Sequence, residues 1–128
     1  MLDYSIVLPE GILVLEPRTP LTHEDFNGLA TAADNYLSVH DKIRGVLIHA
    51  KTFPGWADFD GFKAHMRCVR EHHKKVARVA VVADSHLAGF LEALGRHFVA
   101  AEVKHFPYVD QAKALDSLKA AQAPELPA

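Results

Sequence analysis

The sequence has little of what fastens or anchors a chain by special means. It holds one cysteine, Cys68, and a lone thiol cannot close an internal disulfide, so oxidation is not what holds the fold together. No apolar run approaches the roughly 18 residues of a membrane-spanning helix. The first residues, Met1-Leu2-Asp3-Tyr4, carry neither the basic stretch nor the apolar run of a secretion signal, so the expected compartment is the cytoplasm. An excess of one charge is missing too, with 14 Lys and Arg against 16 Asp and Glu. A protein that tracks phosphates carries a basic excess, so nucleic acid is not an expected partner. There is no Gly-rich phosphate cradle and no Gly-x-Ser-x-Gly elbow around a serine. No internal repeat, low-complexity tract or linker divides the chain.

What remains is an ordinary globular composition. The 128 residues are 49% hydrophobic and 23% charged, enough for one domain over residues 1–128 with its own core. Ser5–Leu8 and Ile12–Glu16 are apolar runs split by Pro9-Glu10-Gly11, which predicts a hairpin. Thr22 is placed to cap a helix, with Glu24 and Asp25 in its first turn and Leu21 positioned to staple against Phe26. Phe26, Leu29, Ala33 and Leu37 recur at helical spacing and predict its buried stripe.

Ile43–Ala50 is the first strong strand, a continuous apolar run suited to cover on both faces. A turn-rich loop, Thr52-Phe53-Pro54-Gly55-Trp56, leads to a second helix from about Asp58 to His73. Its predicted inner face is Phe59, Phe62, Met66 and Val69. Val79–Ala83 reads as the next strand, and Asp84-Ser85 could cap a helix running to about His97. Glu102–Phe106 alternates like a half-exposed edge strand. A last helix covers about Asp110 to Ala121, with Leu115 and Leu118 inward, and the tail after it frays. Strands alternating with helices predict right-handed crossovers and a mainly parallel sheet.

Several segments together resemble a known family. They are Lys42-Ile43-Arg44 before an apolar strand, Phe53-Pro54-Gly55-Trp56 before a helix, Ala77–Asp84 ending a strand, and Val103-Lys104-His105-Phe106 near the close. In order and spacing they are similar to the SpoIIAA-like family, relatives of the STAS domain, from about Tyr4 to Leu118. The resemblance implies a five-stranded, mainly parallel α/β sheet with an N-terminal β-hairpin and four covering helices. It implies no known reaction and no cofactor. STAS relatives are anti-sigma-factor antagonists switched by phosphorylation of a serine after the first parallel strand. The corresponding stretch here, Ala57-Asp58-Phe59-Asp60-Gly61, has no Ser or Thr, so that switch is expected to be missing. Members of the family are also compared with lipid-carrying domains, which keeps a small apolar ligand in view.

Few side chains suggest chemistry. His65, Cys68 and His72 share one side of the second helix by their spacing. They form a candidate for a metal site or an activated thiol, or else a polar flank beside the core stripe. Phe53, Trp56, Phe59 and Phe62 cluster just beyond a parallel strand, where open α/β sheets bind ligands. Trp56 either seals the core or forms contact surface. Ser85 could help hold an anion at a strand-to-helix turn or act as an ordinary cap. Asp58 and Asp60 point in different directions on a helix and suit its N-terminus better than acid/base work. The basic residues Arg67, Arg70, Lys74, Lys75 and Arg78 could meet an acidic partner or an anionic membrane surface, or form a solvated helix end.

The expected function is binding, with no catalysis. A regulatory protein-interaction module, with a homodimer as its expected form, would use Phe53, Trp56, Asp58 and Ser85. The alternatives are a carrier or sensor of a small apolar molecule such as a lipid, and an enzyme built on Cys68 with a neighbouring histidine.

Overall fold

A computed structural model describes residues 1–84 and 102–121. Ser85, the helix expected up to about His97 and the C-terminal tail lie outside these described residues.

Five strands form one sheet, β1 (Leu2–Val7), β2 (Ile12–Pro17), β3 (Gly45–His49), β4 (Arg78–Val82) and β5 (Glu102–Phe106), side by side in chain order. The sheet is mixed. The hairpin pair β1–β2 is antiparallel, while β2–β3, β3–β4 and β4–β5 are parallel. Three helices, α1 (His23–Leu37), α2 (Phe59–His72) and α3 (Gln111–Ala121), stand among the described residues where four were expected. Gly11 closes the hairpin turn at φ +78°, a backbone conformation natural to glycine. A Cβ there would also strike the hydroxyl of Tyr36 at 2.1 Å.

Each face of the sheet has its own core, because successive side chains of a strand point to opposite sides. Leu13, Val46, Val79 and Val81 meet Phe26, Leu29 and Ala33 of α1 and Ala64 of α2. Ile12, Leu47, Ala80 and Val82 meet Ala114 and Leu118 of α3. α1 starts as its sequence predicts. The Thr22 hydroxyl accepts from Asp25 N–H at 3.2 Å and the Asp25 carboxylate accepts from Thr22 N–H at 2.9 Å, a reciprocal cap. Leu21 and Phe26 are buried in the same cluster.

α2 departs from expectation. Its buried residues are Gly61 and Ala64, while Phe59 is 68% exposed and Phe62, Met66 and Val69 are half-buried. The helix is turned about its axis relative to the face that hydrophobicity predicts. The cause is close packing. Leu21 N–H donates to Gly55 O, and Ala57 N–H donates back to Leu21 O. This clasp holds the Leu21 carbonyl oxygen 2.5 Å from where a Cβ on Gly61 would lie. Only the small-residue side of α2 can come that near.

Candidate functional site

Between the sheet and the α1–α2 layer lies a cavity of about 140 Å³. Its walls come from alternating residues of the strands, Leu13, Leu15, Val46 and Ile48 among them, from Phe26 and Leu29 of α1, and from Phe53 in the loop before α2. Three polar side chains among the described residues reach this lining, His65, Cys68 and His72. All three belong to α2. The turn of that helix brings them from the expected flank to the inner side, and Cys68 packs against the core.

His65 is held from two directions. Its ring stacks on Phe26 at 4.6 Å and 11°. The indole N–H of Trp56 donates to its Nδ1 at 3.0 Å. Burial pushes its pKa down to about 4, so the ring is neutral near pH 7. Since Nδ1 accepts, the single proton sits on Nε2.

His72 joins the two helices. Its Nε2 lies 2.9 Å from Asp34 Oδ1 on α1. Its Nδ1 lies 2.7 Å from the carbonyl oxygen of Cys68 and 3.8 Å from Cys68 Sγ. Thiol, imidazole and carboxylate thus stand in the sequence used for nucleophilic catalysis. The electrostatics oppose that use. Burial first, then the charges of Glu71 and Asp34, push the Cys68 thiol up to about 11, and a protonated thiol is a weak nucleophile. The nearer acceptor for Nδ1 is also the helix's own backbone. His65, Cys68 and His72 do not form a metal-binding group, and no group of three His, Cys, Asp or Glu suited to a metal occurs among the described residues.

The loop before α2 is drawn onto the core. Trp56 is half-buried, packs against the core and meets Phe53 and Phe62 edge-on at 5.0 and 4.8 Å. Asp58 caps α2, its carboxylate accepting from Gly61 N–H at 2.9 Å. Asp60 pairs with Lys63 at 3.5 Å, whose ammonium lies 5.2 Å from the centroid of the exposed Phe59 ring. Phe53 and Trp56, expected to make contacts, therefore face inward, and Phe59, expected in the core, is the ring left outside. Arg67, Arg70, Lys74 and Lys75 are exposed.

One grouping was not legible in the sequence. His49 stacks on Tyr108 at 4.6 Å, and its Nδ1 lies 3.6 Å from Glu16 Oε2, which also meets Arg18 at 3.5 Å. The pairing of Leu15 with Ile48 brings Glu16 and His49 together at the carboxyl ends of β2 and β3. No short-range motif marks residues so far apart in the chain.

No helix among the described residues is long and apolar enough to cross a membrane. The sequence matches the SpoIIAA-like family over residues 12–119. The structure is similar to the crystal structure of an uncharacterized protein with a SpoIIAA-like fold from Shewanella loihica PV-4. That similarity has a TM-score of 0.72 at 23% sequence identity and covers 91% of this chain and 93% of that one. Comparison with the curated proteins gives no match.

Proposed function

The chain belongs to the SpoIIAA-like family, and on that footing we propose that it is a non-enzymatic binding domain that carries or senses a small apolar molecule between its sheet and the α1–α2 layer. The observation that supports this is the cavity of about 140 Å³ with its apolar walls. A space near 150 Å³ lined by Leu, Ile and Phe side chains takes up benzene, so a single substituted ring or a short branched chain fits this volume. Transfer of such a molecule from water supplies the affinity, and close-packed walls supply the selection by size. The high pKa of the buried Cys68 thiol supports binding over catalysis.

Native mass spectrometry of the protein purified without detergent or organic solvent tests the proposal. The expected result is an added mass on the order of 100 daltons, lost on organic extraction and restored by toluene. A bare protein that takes up neither toluene nor xenon would overturn it.

A second reading is a regulatory protein-interaction module, and Phe59 favours it. A phenyl ring at 68% exposure beside Phe62 and under Lys63 has the aromatic and cationic character of interface anchors. A pull-down with wild type that is lost for Phe59→Ala would support this reading.

A further inference from the structure

The cavity is apolar but not featureless, and its few polar groups can be sorted by what already occupies them. Both ring nitrogens of His72 face acceptors, Asp34 Oδ1 and the Cys68 carbonyl oxygen. The Cys68 sulfur lies against His72 Nδ1. Nδ1 of His65 accepts the Trp56 indole N–H. Among the described lining residues, the group left over is Nε2–H of His65. It is a donor by virtue of the Trp56 contact, and it has no hydrogen-bond partner among the described residues. The stack on Phe26 and the bond from Trp56 hold the ring's plane and its tautomer together. The burial that keeps the ring neutral acts in the same sense.

We propose that the cavity selects apolar molecules bearing one hydrogen-bond acceptor, a ketone, ester or ether oxygen, which takes the Nε2–H of His65. This rests on the cavity being a ligand site and adds the chemical class of the ligand. A hydrocarbon of equal size would leave the donor unsatisfied in an apolar setting, whereas an acceptor oxygen satisfies it. Trp56 is then a positioning residue. It does not touch the ligand, but it determines which nitrogen of His65 presents the proton.

The test compares acetophenone with isopropylbenzene, which are similar in shape and differ by the acceptor oxygen. Binding is followed by titration calorimetry and by the imidazole nitrogen and proton resonances of His65. The expected result is at least about fivefold tighter binding of acetophenone. Its binding should also shift the Nε2–H resonance, which isopropylbenzene leaves in place. In His65→Phe, which keeps a ring over Phe26 and lacks the donor, the two probes should bind alike. Equal affinities in wild type with an unmoved Nε2–H resonance would overturn the acceptor preference and leave the apolar site standing. Failure of both probes to bind would overturn the site itself and this inference with it. The wild-type resonance measurement decides the matter even if His65→Phe does not fold.

Discussion

Trp56 and His65, nine residues apart, are joined by an indole N–H that donates to an imidazole Nδ1 over 3.0 Å. One residue lies in the loop before α2 and the other on the buried side of that helix. The bond orients the loop and sets the imidazole tautomer in one step.

Trp56→Phe removes the donor and keeps an aromatic ring on the core. Loss of a partly buried hydrogen bond that leaves an acceptor unmatched costs about 1–3 kcal/mol. The expected outcome is a lower urea midpoint with an unchanged slope. A variant as stable as wild type would show that the indole bond contributes nothing to the fold.

The buried His65 makes stability depend on pH. Its folded pKa of about 4 lies below the ordinary 6.5, so between these values the unfolded chain binds the extra proton. Stability from this group is therefore complete above about pH 6.5 and falls as the pH drops towards 4. The full loss is at most about 3–4 kcal/mol, from roughly 1.4 kcal/mol for each pH unit between the two values. Denaturant melts from pH 7 to 4 should show this slope, reduced in His65→Phe. Identical slopes in the two proteins would contradict the assignment.

Gly61→Ala sets two effects against each other. Alanine has the better helix propensity by about 1 kcal/mol. Its Cβ, however, would lie 2.5 Å from the Leu21 carbonyl oxygen, which is backbone and held by the loop. Overpacking of this kind costs about 1–3 kcal/mol, so the variant is expected to be less stable in thermal melts. A rise in Tm would show that α2 is not pressed against Leu21.

Cys68 should react slowly. With its thiol pushed up to about 11, only about one part in ten thousand is thiolate at pH 7. The rate of iodoacetamide labelling of the folded protein should climb about tenfold per pH unit from 7 to 9, without a plateau. A plateau near neutral pH would reveal an activated thiolate and revive a role for His72 and Asp34 in catalysis.

Much of the fold is written locally. Thr22 and Asp25 mark the start of α1 because a hydroxyl and a carboxylate three residues apart can cap each other's backbone amides. The apolar runs at Gly45–His49 and Arg78–Val82 are strands because both faces are covered. The order of α and β elements follows from such short-range signals, and the family resemblance added that the strands form one sheet. The rotation of α2 was decided only in three dimensions. Its large apolar residues, Phe59, Phe62, Met66 and Val69, predict one buried face. Packing chose the side with Gly61 and Ala64, since a helix buries the side that comes closest to its neighbours, and small residues permit the closest approach. That choice turned His65, Cys68 and His72 inward, left Phe59 outside, and created a cavity with two histidines in its wall among the described residues. Side-chain spacing within α2 could show that these three residues share a side. Which side faces the core depended on Leu21, nearly forty residues earlier in the chain.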